Sequence, residues 1–219
     1  MLCLLALSGF AEAQSLKAED LGAGKLLVAS PDLPDPNFAQ TVVLLVQYDD
    51  DGVVGLILNR RSKVKISRLL QDLAGAKDRA DAVYAGGPVG RAEVLALLRS
   101  RRPPGGAKHI LGDVYLVSGK DALEKSFAGA ADANAVHVYL GYSGWTAPQL
   151  EHEMELGAWF IFQGSAKEIF DSDPDSLWPR MIRATELRIA SRQTDRILRL
   201  RAAAGAPPPL DSWPVAARQ

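Results

Sequence analysis

TVVLLVQYDDDGVVGLILN, residues 41–59, is two apolar runs around one polar turn. The first run, 41–48, is rich in β-branched residues and apolar nearly throughout, as a buried strand is. Asp49-Asp50-Asp51-Gly52 follows, and Asp-Gly is the strongest short hairpin signal. Residues 53–59 then read as the returning strand. A buried hairpin here makes the fold a sheet fold, and the rest of the chain is read outward from it.

Upstream, KLLVAS (25–30) is a short strand that stops at Pro31. PDLPDPNF (31–38) holds three prolines in six residues, so it can be neither helix nor central strand and reads as a rigid loop. Downstream, Ile66, Leu69, Leu70 and Leu73 share one face of a short helix, with Ser62 or Ser67 as a cap. AVYAGGPVG (82–90) runs from a strand into a Gly-Gly-Pro turn. RAEVLALLRS (91–100) fits helix and strand equally. RRPPGGAK is a loop, DVYLVS (113–118) a strand and KDALEKSF a short helix. AVHVYLGY (135–142) and GAWFIFQG (157–164) are strands. Thr146-Ala-Pro-Gln149 between them matches a capping box, with Pro148 tolerated in the first turn. Residues from Pro174 to about Ala204 are helical after a break near Trp178-Pro179. No internal repeat is visible, so the body reads as one α+β domain, residues 24–179. A basic helix (180–204) and a Pro-rich tail (205–219) follow it.

The 219 residues carry a formal net charge of −1, which gives no general attraction to nucleic acid or to acidic membranes. Charge is unevenly spread: seven arginines against Glu186 and Asp195 give Arg180–Arg201 a net +5, and leave residues 14–179 at about −5. The single cysteine, Cys3, excludes an intramolecular disulfide and a Cys-based zinc site. No apolar run has the length of a membrane span. MLCLLALSGF followed by Ala11-Glu12-Ala13 has the length and small-x-small ending of a signal peptide, residues 1–13, although no basic residue precedes Lys17. Cleavage would leave Gln14 first and place the protein in the periplasm or medium. An uncleaved segment would leave it cytoplasmic.

Several residues invite a chemical reading. Gly141-Tyr142-Ser143-Gly144-Trp145 lies between a strand and a helix, as a nucleophile elbow does, but Trp145 stands where that motif needs its second glycine. No spacing favours His109, His137 or His152 as a partner. The pattern reads instead as a tight turn with Trp145 filling the core. His152-Glu153 lacks the second histidine of a zinc helix, since position 156 is Leu. Glu151, Glu153 and Glu155 read as a solvated face, with Leu150 and Met154 turned inward. Gly22-Ala23-Gly24-Lys25 and Ser118-Gly119-Lys120 are only fragments of phosphate loops. Gly86-Gly87-Pro88 offers backbone N–H groups to a ligand or simply makes a sharp turn. Asp32, Asp35 and Asn37 sit on the stiff loop, either as binding groups or as caps of local turns.

Taken in order, P-D-L-P-D-P-N-F (31–38) with Thr41-Val42-Val43, G-V-V-G-L-I-L-N-R (52–60), Gly86-Gly87-Pro88-Val89, and G-Y-S-G-W-x-x-x-Q-L-E-x-E (141–153) with Trp159 resemble the YqgE/AlgH family of bacterial proteins. The likeness runs from about Gly24 to Trp178. The chain departs from the family at Tyr48, where a His is usual, at Ser143, often Ala, and at Arg61, often Pro. The resemblance implies a compact single domain with a central mixed or barrel-like β-sheet flanked by α-helices. It implies no established enzymatic activity, and the family name carries a link to transcriptional control of alginate production.

These readings lead to a non-catalytic binding or regulatory protein, with no catalytic residue, metal or cofactor. Its ligand is a small molecule or a protein, and the sequence does not fix which, nor the oligomeric state. Its expected site is Asp32, Asp35, Asn37, Asn59, Gly86, Gly87, Tyr142, Ser143 and Trp145, brought together at one end of the sheet. Two alternatives stand beside it. One is a small-molecule hydrolase using the same cleft. The other is a transcriptional regulator acting directly or indirectly, for which only the arginine-rich helix speaks; nucleic acid is not the expected partner.

Overall fold

The hairpin read from residues 41–59 is the second link of a curled sheet. β2 (Val42–Asp49) and β3 (Gly52–Ile57) run antiparallel from Val43↔Ile57 to Asp49↔Gly52, with a bulge between Leu45 and Gln47. The computed structural model describes residues 20–102, 104–129 and 135–203. The expected signal peptide, 1–13, and the tail, 205–219, lie outside the described residues.

β1 (Lys25–Ala29) pairs antiparallel with β2 and, on its other side, with β10 (Trp159–Gln163). β9 (Val136–Trp145) is the central strand. It pairs antiparallel with β3 at Val53↔Trp145, antiparallel with β6 (Val89–Arg99), and parallel with β5 (Ala82–Ala85). β6 continues to β8 (Val114–Ser118) and β8 to β7 (Lys108–Leu111), while β4 (Arg61–Lys65) pairs β5. The sheet order is β10-β1-β2-β3-β9-β6-β8-β7. Its two ends curl toward each other. A Cβ built on Gly24, just before β1, would meet the Leu111 side chain of β7 at 3.3 Å and the Ile110 carbonyl at 3.4 Å. The fold is therefore mixed α+β around a curled, mainly antiparallel sheet.

Residues 91–100, open between helix and strand on sequence, are the outer part of β6. Leu97 pairs with Leu116 on one side and His137 on the other. Strands covered on both faces lose their alternation, which is why periodicity could not decide. The helices are α1 (Ile66–Leu69), α2 (Lys120–Gly129), α3 (Ala147–Glu155), α4 (Ala166–Ile169) and α5 (Leu177–Ala203). Neither expected serine caps α1: its N-cap is Lys65, and Ser62 Oγ accepts from Val64 N instead. Thr146 does cap α3, accepting from Gln149 N at 3.3 Å. The break expected at Trp178-Pro179 lies earlier, in a 3-10 turn at Pro174–Ser176. Pro179 falls in the first turn of α5, where its missing N–H costs no helical bond.

Two apolar clusters stabilise the sheet, and β9 feeds both. Val136 and Val138 join Ile66, Val83, Leu98 and Phe127 in one. Trp145 joins Leu27, Val43, Ile57, Leu150 and Trp159 in the other. The chain falls into two units, up to Ile182 and from Arg183. In the second, Leu187, Ile189, Leu198 and Leu200 of α5 are each more than half exposed. No helix among the described residues is long and apolar enough to cross a membrane.

Candidate functional site

The Pro-rich loop between β1 and β2 is fixed first by its own polar groups. Asp35 Oδ1 accepts from Asn37 N at 2.7 Å, the Asp35 carbonyl accepts from Phe38 N and Ala39 N, and Thr41 Oγ1 donates to the Phe38 carbonyl. Asp35 is thus a turn cap, one of the two roles its sequence allowed. The loop is next sewn to the end of β3. Asn59 Oδ1 accepts from Val42 N, and its Nδ2 donates to the Gln40 carbonyl, both at 2.9 Å. Arg60 donates to three loop carbonyls, those of Asn37 (2.6 Å), Pro36 (3.3 Å) and Ala39 (3.5 Å).

The Gly86-Gly87-Pro88 turn is pressed onto β9. Gly86 N donates to the Leu140 carbonyl, and the Gly86 carbonyl accepts from Ile57 N and from Ser143 Oγ at 3.2 Å. A Cβ on Gly86 would run into the Gly141 carbonyl, and one on Gly87 into the backbone of Tyr142. Glycine is needed here for backbone contact. The stretch 141–145 is not the tight turn its glycines suggested. β9 runs on to Trp145, and Gly141, at φ 68°, absorbs the irregularity between the pairs Val89↔Tyr142 and Val94↔Leu140. Ser143 is wholly buried, its hydroxyl bonded to a carbonyl, so it presents nothing to a substrate.

The loop separates two clefts of nearly equal size. One, of about 330 Å³, is lined by Asn37, Arg60, Gly87, Pro88 and Arg91 with Ala85 and Leu140. The other, of about 320 Å³, is lined by Asp32, Asp35, Phe38, Glu153 and Trp159 among others. Of the nine residues singled out from sequence, four line these clefts and five do not. Asn37 and Gly87 face the first, Asp32 and Asp35 the second. Asn59, Gly86 and Ser143 tie the elements together, Tyr142 backs the glycine turn, and Trp145 packs in the core.

Glu153 corrects the solvated face expected for α3. Its Oε2 accepts from the indoles of Trp145 (3.2 Å) and Trp159 (2.9 Å), and its Oε1 from Gln149 Nε2 (3.0 Å). Phe38 stacks on Trp145 with centroids 5.3 Å apart and meets Trp159 edge-on. Leu150 and Met154 do turn inward as expected. Sequence gave no local sign of Glu153's role, because its partners stand eight residues before and six after it.

A third polar group lies earlier on β9. His137 stacks on Tyr84 at 4.8 Å and packs against Phe170 at 4.9 Å. Its Nδ1 and the Tyr139 hydroxyl are buried with no hydrogen-bond partner among the described residues. Burial pushes the imidazole down to about 4 and the Tyr139 phenol up. Among the described residues no group of three or more His, Cys, Asp or Glu is placed to hold a metal.

Comparison with known proteins adds the following. The family described as AlgH-like matches residues 26–190. A UPF0301 protein of Streptomyces coelicolor is 34% identical over 183 residues, which cover 81% of this chain and 90% of that protein. A UPF0301 protein of Chlorobaculum tepidum is 32% identical over 168 residues, 76% of this chain and 88% of its own. Of solved structures, the AlgH protein from Pseudomonas aeruginosa superposes with a TM-score of 0.61 at 28% identity, covering 81% of this chain and 92% of that one. A protein from Corynebacterium diphtheriae gives 0.65 at 20% identity, with 80% and 94% covered, and bears on the fold alone.

Proposed function

The chain belongs to the AlgH-like family, and on that premise we propose that it is a non-catalytic binding protein for a small molecule. Its ligand occupies the cleft lined by Asn37, Arg60, Gly87, Pro88 and Arg91. One observation carries the reading. The 31–38 loop, the end of β3, the Gly86–Pro88 turn and β9 meet at this cleft through backbone bonds and through the Asn59 and Arg60 side chains, so its walls are preformed. Ser143, the nucleophile a hydrolase would need here, is closed off. A regulatory role would act through occupancy of the cleft rather than through DNA.

Thermal-shift screening of a metabolite collection, run beside turnover assays with acyl esters and phosphoesters, tests this. Saturable stabilisation without turnover supports it. Turnover abolished by Arg91→Ala would replace it with the hydrolase reading. DNA affinity that falls steeply with added salt and is lost when the α5 arginines are neutralised would favour the direct regulator. The reading also includes export: the protein in its native cell is expected to begin at Gln14, and mass spectrometry finding Met1 retained in the cytoplasm would remove that part.

A further inference from the structure

We propose that the ligand of the Arg60–Arg91 cleft is an oxyanion, a carboxylate or a phosphate, carried on a small apolar body. The proposal rests on the reading of that cleft as the ligand site and names its chemistry. The cleft lining holds two guanidinium groups and no carboxylate. Four other arginines are ion-paired: Arg61 with Asp175, Arg79 with Asp81, Arg99 with Asp113 and Arg180 with Asp171. Arg60 and Arg91 make no ion pair among the described residues, although the body of the chain is net acidic. Their charge is left for something else to meet.

The two arginines are unequal. Arg60 is held by three loop carbonyls, which fix its plane without cancelling its charge. Such a group is already ordered, so a bound anion loses little of its affinity to freezing the side chain. Arg91 is exposed, and its one bond is a long 3.4 Å contact from Nε to the Pro88 carbonyl. Its two terminal nitrogens remain to grip an anion from the open side, in the fork geometry that suits carboxylate and phosphate. Gly87 shares the cleft lining with them. Its N–H has no acceptor among the described residues. The Asn37 side-chain amide also lines the cleft and has no partner among the described residues. Ala85, Pro88 and Leu140 supply an apolar wall. A volume of about 330 Å³ suits a molecule at the small end of ligand size.

The test uses the full chain, labelled for amide NMR, and three probes at fixed ionic strength: butyrate, inorganic phosphate, and butyramide as the neutral counterpart of butyrate. Butyrate or phosphate is expected to shift Gly87, Asn37 and Arg91 amides saturably, with butyramide leaving them unmoved. The preferred anion tells carboxylate from phosphate. Arg91→Ala is expected to weaken the preferred anion at least tenfold, and Arg91→Lys by less, with melting temperatures unchanged. No saturable shift with either anion, shifts confined to α5, or anion binding equal in Arg91→Ala overturns the proposal. Butyramide binding as tightly as butyrate also overturns it, while leaving the ligand cleft standing. Turnover of a phosphoester in the cleft would do the reverse, keeping the anion site and removing the non-catalytic reading.

Discussion

The two clefts on either side of the 31–40 loop match in volume and differ in nearly everything else. The acidic one is built around Glu153, whose carboxylate already takes three donors, two of them indoles of the core. The basic one is built around Arg60 and Arg91, which find carbonyls but no counter-charge. Charge alone would make both look like binding sites. Satisfaction separates Glu153 from the two arginines: its carboxylate is part of the protein's own packing, whereas the guanidinium groups have donors to spare. A charged cleft is informative to the extent that its polar atoms are still unspent.

The strongest way to break this contrast is to disturb the glycine turn that lines the basic cleft. Gly86→Ala puts a Cβ against the Gly141 carbonyl of the central strand, so turn and strand must be pushed apart. A loss of about 3 kcal/mol or more is expected, read from urea unfolding. If the variant is as stable as the parent, the turn does not sit on β9 as described.

A second perturbation gives the comparison a baseline away from either cleft. His137 is held down to about 4 by burial, against 6.5 in the unfolded chain, with Asp81, Arg79 and Arg61 as the charges facing it. Between those values the unfolded chain takes a proton that the folded one refuses. Stability is complete above the upper value and falls as pH drops through the window, by roughly 3 kcal/mol at its acid end. His137→Phe should keep the stack on Tyr84 and remove that component. Parallel unfolding curves for parent and variant from pH 7 to 4 would show the ring to be solvated.

Within the acidic cleft, Glu153→Ala leaves two buried indole N–H groups without an acceptor and should cost about 2 kcal/mol. Glu153→Gln keeps an acceptor and should cost less. Tryptophan fluorescence should change in both, because Trp145 and Trp159 are the reporters. Equal stability of all three chains would mean that the carboxylate is as available as the arginines are.

Asn59→Ala removes the clip between β3 and the loop that divides the clefts, for about 1 kcal/mol. Hydrogen exchange at Val42 N, which the clip accepts, should quicken. Arg91→Ala sits at the far end of the scale, within about 0.5 kcal/mol, although it should abolish most anion binding. A large loss of stability there would mean that Arg91 is structural, and the two clefts would then be alike.

How much of this could be read from the chain depends on how local each cause is. The hairpin, the loop and the Thr146 cap were legible because their signals lie within a few residues. The stretch 141–145 was read as a turn because its glycines imitate one. In the fold they serve contact with Gly86 and Gly87, more than fifty residues upstream. Asp32, Asp35 and Asn37 are legible as polar groups on a stiff loop. Nothing local said that Asp32 and Asp35 would face one cleft and Asn37 another. Arg60 closes the 52–60 motif, yet its unpaired charge becomes visible only when every nearby carboxylate has been placed. Glu153 was misread because alternating glutamates on a helix are usually solvated, and the tryptophans that claim it come from two different strands.

The pairing of β1 with β10 joins residues 138 apart in the chain, and this bears on how the protein is made. At usual rates of synthesis β10 follows β1 by roughly 10 s. In that interval the β1–β3 meander is exposed at both edges, with Val53–Gly55 waiting for Ser143–Trp145 and Leu26–Phe162 not yet joined. Unpaired apolar edges are templates for association between chains. The nascent protein therefore depends on whatever shelters it until its last third arrives. A ribosome stalled before residue 136 would release a sticky sheet rather than a smaller stable one.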